Sequence, residues 1–156
     1  MPNRIRVIRA VLDTNIFLRS LIRQGNVCDG LINCFKEGKF VLISSEAILE
    51  EVASVLNDHE LIKKYRYSAE SVQGLLSAIH QNAVLTSISL NTHLSRNATD
   101  EKFIECAIVG RAHFLVSEDK DFLDDKELRK ALREYGIEIV NALEFYKQIA
   151  LSVEVA

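Results

Sequence analysis

The sequence predicts a three-layer α/β/α protein with a central five-stranded parallel sheet, and three observations support this fold class. Short apolar runs rich in β-branched residues alternate with amphipathic stretches of helical spacing. Residues that end strands or begin helices separate these segments. The 156 residues, 48% apolar and 26% charged, have the composition of a globular protein. Alternating strands and helices imply crossover connections, so we expect a single domain over residues 1–156, with its core at about 6–147.

The predicted strands are short runs of mostly apolar residues. Residues 7–12 are rich in β-branched side chains and stop at Asp13, which predicts a buried strand followed by a loop or a helix start. The remaining predicted strands cover residues 40–43, 83–88, 114–117 and 137–140.

The predicted helices are placed by their apolar spacing and by capping residues at their ends. Gly38 ends a helix over residues 27–37, and Ser68 caps a helix that runs to about residue 80. Asn141 and Glu144 resemble a capping box for the last helix. Further helices are predicted from Ser44 or Ser45 to about 56, within 57–66, over 100–112, and from Asp124 or Asp125 to 135.

Charge and composition exclude several classes of protein. A net charge of −3 argues against a protein that coats nucleic acid through a basic face, but an acidic site that cuts nucleic acid stays open. No apolar run approaches the ~18 residues of a membrane span, and residues 1–6 lack a signal-peptide core, so we expect a cytoplasmic protein without membrane contact. Cys28, Cys34 and Cys106 indicate reduced core thiols rather than disulfides or a zinc site.

Acidic residues follow the predicted strands, where an open α/β sheet binds its ligands. Asp13 follows the first strand directly, Asp100 opens the helix after the third, and Asp119 lies just beyond the fourth. On the helix after the second strand, Glu50 points about 160° from the centre of the apolar face and Glu51 about 100°. Glu51 therefore lies at the flank, where it can reach a cleft at the sheet edge.

Each of these four residues also has an ordinary structural interpretation. Asp13 suits a turn or a helix cap, Asp100 a helix-dipole partner, Asp119 a solvated turn and Glu51 a helix surface. Together they favour a shared site, because unpaired carboxylates at one edge repel and a divalent cation removes the conflict. Oxygen-only ligands suit Mg²⁺ or Mn²⁺, and the absence of His and Cys from the set disfavours zinc.

These motifs resemble the PIN domain family. Residues 11–15 (VLDTN) are similar to its opening strand and Asp-Thr-Asn, and residues 43–52 (ISSEAILEEV) to its Ser-x5-Glu block, whose site residue maps to Glu51. Residues 99–107 (TDEKFIECA) resemble the third block and residues 115–123 (LVSEDKDFL) the fourth. The four blocks occur in order over nearly the whole chain. One departure is Arg-Asn-Ala at residues 96–98, where many relatives carry Arg-Asp-Pro, so an accessory acid is missing there.

The resemblance implies a PIN-like fold and a metal-dependent nuclease that usually acts on RNA. The hypothesis is that Asp13, Asp100 and Asp119 hold Mg²⁺ or Mn²⁺ and that Glu51 completes the site or orients and deprotonates the attacking water. Asn15 and Ser117 would orient a carboxylate or a metal-bound water, although turn and capping roles fit them equally. Many small bacterial members are ribonuclease toxins neutralised by a cognate antitoxin, and homodimers are common.

Two other functions are compatible with parts of the pattern. A haloacid-dehalogenase-type phosphatase would normally have a second acid where the chain has Asn15, and a non-catalytic protein-interaction module would not need all four acids. Tyr65 and Tyr67 fit either stacking on unpaired bases or packing against the domain. A phosphate-binding rim, or alternatively a solvated charged face, is predicted from Arg19, Arg23, Lys63, Lys64, Arg66 and Arg96.

Overall fold

A computed structural model describes residues 7–87 and 100–155 and confirms the predicted α/β class. Five strands form an all-parallel sheet in the order β3-β2-β1-β4-β5. All five coincide with predicted strands. Their bounds are β1 Arg9–Leu12, β2 Val41–Ser45, β3 Val84–Thr86, β4 Phe114–Val116 and β5 Glu138–Val140.

Helices connect and flank these strands in the PIN-like arrangement that the sequence motifs imply. In the described part of the chain they are α1 Thr14–Ile22, α2 Val27–Lys36, α3 Glu46–Leu56, α4 His59–Tyr65, α5 Ala69–Asn82, α6 Glu101–Val109, α7 Lys120–Leu123, α8 Lys126–Arg133 and α9 Ala142–Val155. The basic residue Arg96 and the departure at residues 96–98 lie outside the described residues, as does the predicted end of the third strand at residue 88.

The order of the strands places a topological switch beside β1. The chain runs outward from β1 to β2 and β3, and then returns to the other side of β1 with β4 and β5. Ala10 pairs with Leu42 of β2 on one side and with Phe114 of β4 on the other. Ligands of open parallel sheets bind at the carboxyl ends of the strands beside such a switch. The carboxyl ends of β1 and β4 are therefore the place to look for a site.

The capping residues confirm most of the predicted helix starts. Asn141 and Glu144 form the predicted capping box, with Asn141 N donating to Glu144 Oε1 at 3.2 Å and Glu144 N donating to Asn141 Oδ1 at 2.8 Å. The sequence left two candidate caps for each of two further helices. Ser45 rather than Ser44 caps α3, and Asp125 rather than Asp124 caps α8. The sequence left open whether a loop or a helix follows β1. A helix follows it, since α1 begins at Thr14 with Asp13 as its N-cap.

One turn expected from the sequence is instead a short helix. Residues 118–121, taken alone, suggest a solvated turn, but α7 begins at Lys120. Asp119 caps it, since its Oδ1 accepts a hydrogen bond from Asp121 N at 2.9 Å. A carboxylate that accepts from a free backbone N–H favours the helix over the turn. The consequence is that Asp119 has a fixed backbone conformation at the sheet edge.

Close packing of α6 on the sheet brings the third acidic block to the edge. A Cβ atom at Gly110, directly after α6, would lie 2.3 Å from Ile43 Cγ2, so only glycine allows this approach. Phe103 of α6 and Phe122 of α7 pack edge to face with ring centroids 6.2 Å apart.

The three cysteines are buried and free, as the sequence predicts. No helix in the described ranges is long and apolar enough to span a bilayer.

Candidate active site

The site lies at the carboxyl ends of β1 and β4, beside the topological switch. Asp13 follows β1 directly, and its backbone N donates to Val116 O at the end of β4 at 2.9 Å. Its side chain is 7% exposed. Ser117 follows β4 and is fully buried. Backbone pairing of two neighbouring strands therefore fixes the spacing of these two side chains.

Three hydrogen bonds hold the buried carboxylate of Asp13. Ser117 Oγ donates to Asp13 Oδ2 at 2.7 Å, and Asn15 Nδ2 donates to the same oxygen at 3.2 Å. Thr14 N donates to Asp13 Oδ1 at 2.7 Å. Burial raises the pKa of Asp13 above its ordinary value, the bonds from Ser117 and Thr14 lower it, and the charges of Asp119 and Glu51 raise it further. The donors therefore favour an ionised carboxylate where burial opposes one.

Ser117 connects the first and fourth acidic positions. While its hydroxyl donates to Asp13, its Oγ accepts from Asp119 N at 2.9 Å. Asn15 adds a second link, because its Oδ1 accepts from Glu118 N at 3.4 Å. These two polar residues fix the loop after β4 against the loop after β1. Both side chains also donate to the Asp13 carboxylate, so they link it to the loop after β4.

Glu51 is on the side of α3 that faces the site, and Glu50 is exposed. The Thr14 hydroxyl donates to Glu51 Oε2, and Lys102 Nζ lies 2.6 Å from Glu51 Oε1. Neither Thr14 nor Lys102 is singled out by the sequence analysis. Thr14 lies inside the VLDTN motif, and Lys102 follows Asp100 by two residues in TDEKFIECA, so both were within reach of motif-based reasoning.

Asp100 is joined to the other acids by charge rather than by hydrogen bonds. It precedes α6 without a side-chain capping bond to that helix. Burial is the largest cause that raises its pKa, and repulsion from Asp13, Asp119, Asp121 and Glu51 raises it further, to about 6. Carboxylates that perturb one another in this way lie within electrostatic reach of a common space. Asp13, Glu51 and Asp119 all contribute to the raised pKa of Asp100, so the four acidic positions are electrostatically coupled.

The carboxylates do not stand in the geometry of a finished metal centre. Among residues 7–87 and 100–155, no three His, Cys, Asp or Glu side chains are grouped closely enough to hold an ion as they stand. The chemistry of the donors nonetheless fits a hard divalent cation, because all are carboxylate oxygens. The raised pKa values of Asp13 and Asp100 fit it too, since a bound cation favours the ionised form that burial and repulsion disfavour.

The basic and aromatic residues proposed for a rim have mixed positions. Tyr67 is 6% exposed and its hydroxyl donates to Leu56 O at 3.0 Å, so the base-stacking interpretation of Tyr67 is wrong and the packing one is confirmed. Tyr65 is half-buried, with Lys64 Nζ 5.0 Å from its ring centroid. The other described basic candidates are exposed, namely Arg19, Arg23, Lys63, Lys64 and Arg66.

The fold and the site together define an α/β protein with an acidic edge at the switch point of a parallel sheet. The family model of the PIN domain matches residues 9–121, which include all four acidic positions. The chain therefore belongs to the PIN domain family, a family of proposed nucleases. It is also similar to uncharacterized protein MJ1680 of Methanocaldococcus jannaschii, with 27% identity over 126 residues, or 81% of this chain and 80% of the relative.

Proposed function

We propose that the protein is a metal-dependent endoribonuclease that hydrolyses phosphodiester bonds in RNA. The observation that carries this proposal is the buried carboxylate of Asp13, oriented by Ser117 and Asn15 beside Asp119 and Asp100. Burying an acid among other acids is costly unless a cation compensates it. Membership of the PIN domain family supports the same activity.

Asp13, Asp100 and Asp119 are the residues that would hold Mg²⁺ or Mn²⁺. When bound there, such an ion would lower the pKa of water and neutralise charge developing on a phosphodiester. The chain's own contribution is to fix the ligands. Ser117 and Asn15 both occupy Oδ2 of Asp13, and Thr14 N occupies Oδ1, so the carboxylate plane is set before any ligand arrives.

Glu51 is the candidate for orienting and deprotonating the attacking water. Both of its oxygens are engaged, one by the Thr14 hydroxyl and one by Lys102 Nζ. Each carboxylate oxygen can accept more than one hydrogen bond, so Glu51 can still accept from a water molecule while these partners stay in place. In-line attack by water on phosphorus breaks the bond to the 3′ oxygen, which takes up a proton, and leaves a 5′-phosphate and a 3′-hydroxyl.

The proposal is tested by incubating a labelled single-stranded RNA with the protein and Mg²⁺ or Mn²⁺. We expect cleavage that EDTA stops and that Asp13→Asn abolishes, because the amide keeps the shape but loses the charge. Glu50→Gln is the matched control, since Glu50 is exposed on α3 and should be dispensable. An Asp13→Asn variant that cleaves as well as the parent would remove the assignment.

We further propose that the nuclease is the toxin of a toxin–antitoxin pair, with a cognate antitoxin protein as partner and a homodimer or higher oligomer as its assembly. The support is the resemblance to small bacterial PIN domains of that type. Induced expression in a bacterial host should arrest growth, and Asp13→Asn should not. Normal growth with full expression of active enzyme would exclude the toxin role while leaving the nuclease.

A non-catalytic interaction module is the alternative. It requires no cation at the acidic edge. Absence of Mn²⁺ binding by calorimetry, together with absence of RNA cleavage, would make that alternative the preferred function.

A further inference from the structure

Lys102 is a basic residue placed directly at the acidic edge. It lies in the first turn of α6, two residues after Asp100, and its Nζ is 2.6 Å from Glu51 Oε1. The side chains of Lys102 and Glu51 are 25% and 29% exposed. A lysine in that position is neither fully buried nor free in solvent. Glu51 therefore holds its ammonium group, and the side chain is still partly accessible to solvent.

Glu51 holds this lysine through a short chain of contacts. The Thr14 hydroxyl donates to one oxygen of Glu51, and the Lys102 ammonium group takes the other. Lys102 Nζ is also 5.6 Å from the ring centroid of Phe103. Because Thr14 follows Asp13 directly, the chain of contacts ties the position of Lys102 to the first acidic residue. An ammonium ion has three donors, so one partner oxygen leaves capacity for another.

Among the described residues, Lys102 lies beside a pocket. Lys102 lines a pocket of about 390 Å³ at the carboxyl ends of β2 and β3, together with Ser45, Thr86 and Cys106. That volume is within the range of small-molecule sites, which run from roughly 300 to 1,000 Å³. A segment of single-stranded RNA that crosses the edge of the sheet can therefore approach the ammonium group from this side.

An acidic site that takes up RNA needs fixed positive charge close to the reacting phosphate. We propose that Lys102 binds a phosphate of the RNA next to the scissile bond, and that Glu51 is a positioning residue for Lys102. The proposal rests on the proposed nuclease function. It gives Glu51 a role in substrate binding besides its candidate role toward water.

The test measures RNA binding and its salt dependence. The parent for this test is Asp13→Asn, so that a fluorescent single-stranded RNA persists in the presence of Mn²⁺. In that background we compare Lys102→Met, Lys102→Arg and the control Lys130→Met by fluorescence anisotropy at several KCl concentrations. Lys130 is exposed in the last turn of α8, which leads back to the start of β5 and hence to the opposite edge of the sheet.

Lys102→Met should weaken binding about tenfold at moderate salt, the effect of one charge-assisted hydrogen bond. It should also reduce the slope of log K against log salt by about 0.7, the value for one phosphate contact on a single strand. Lys102→Arg should keep the parental slope, as should Lys130→Met. A purely structural role for Lys102 would lower the melting temperature without changing the slope.

Lys102→Met also removes the positive partner of Glu51, whose negative charge would then repel RNA. A second comparison separates this repulsion from the loss of phosphate binding. In a Glu51→Gln background no charge remains to be uncovered, while the amide oxygen can still accept a hydrogen bond from Lys102 and hold it in place. Lys102→Met should therefore still reduce the slope by about 0.7. An unchanged slope and affinity in Lys102→Met, or a loss that vanishes in the Glu51→Gln background, would overturn the proposal. If the unmodified protein with Mn²⁺ fails to cleave RNA, the proposed function itself has failed, and the proposal for Lys102 with it.

Discussion

Replacing Asp100 with Asn should stabilise the metal-free protein and at the same time abolish its cleavage of RNA. The pKa of Asp100 rises from 3.8 to about 6, chiefly through burial and then through repulsion by the neighbouring acids. A rise of that size corresponds to about 3 kcal/mol of destabilisation of the fold when Asp100 is ionised. Because Asp100 is partly exposed, solvent screening reduces this, and we expect roughly 1.5 kcal/mol.

The sign of the pH dependence follows from the direction of the shift. Folded protein holds the Asp100 proton to a higher pH than the unfolded chain does, so ionisation costs stability as the pH rises from about 4 to about 6. The advantage of Asp100→Asn should therefore be complete above pH 6 and nearly absent at pH 4. With Mn²⁺ present, the parent should be more stable than Asp100→Asn, since Mn²⁺ stabilises the protein that retains the carboxylate.

The assay is urea unfolding in EDTA at a series of pH values, followed by circular dichroism. Glu50→Gln is the control, because it removes one exposed carboxylate from α3 and should change stability by only a few tenths of a kcal/mol. An Asp100→Asn variant that is no more stable than the parent at pH 8 would refute the reasoning. So would a gain of equal size at pH 4 and pH 8.

Three further changes test the structure around the site. Ser117→Ala should lose about 1–2 kcal/mol of stability in urea unfolding and most of the RNA cleavage, because the Ser117 hydroxyl makes two buried hydrogen bonds. The control Ser20→Ala should lose stability but keep RNA cleavage. Gly110→Ala should lose about 1–3 kcal/mol of stability in the same assay, because its new methyl group clashes with β2. Gly74→Ala should gain up to about 1 kcal/mol, because Gly74 lies within α5 and a Cβ atom there meets no neighbour. Tyr67→Phe should cost about 1 kcal/mol in thermal unfolding and leave RNA affinity unchanged.

One result would contradict each of the predictions for Ser117, Gly110 and Tyr67. Full cleavage by Ser117→Ala would show that the carboxylate needs no orientation. Equal stabilities of the two glycine variants would contradict the close approach of α6 to β2. Weakened RNA binding by Tyr67→Phe would return that residue to the binding surface.

The acidic edge was predictable because it depends on topology more than on packing. Parallel strands end at one edge of a sheet, so residues that follow separate strands, such as Asp13 and Asp119, lie at that edge in any fold of this class. Helical spacing was enough to choose Glu51 over Glu50, because the apolar face of α3 fixes its rotation on the sheet. The positions of all five strands and of most helices followed from short-range patterns, whereas the sequence left α1 open and predicted a turn at α7.

The contacts around Glu51 could not be read from the sequence. Lys102 meets Glu51 only because α3 and α6 come together at the edge of the sheet, and their mutual placement is a property of the packed core. The burial of Tyr67 likewise depends on where the chain enters α5. The helical conformation at α7 turned on one hydrogen bond from Asp121 N to the Asp119 carboxylate. Such local choices are decided by differences of about 1 kcal/mol, which sequence patterns do not resolve.

The most direct measurement is a crystal structure of the protein soaked in MnCl₂, with the anomalous difference map calculated at the manganese edge. We expect a peak at the carboxyl ends of β1 and β4 that is bound by oxygens of Asp13, Asp100 and Asp119. A map with no peak at that edge at millimolar Mn²⁺, or a peak that none of these three carboxylates touches, would contradict this expectation.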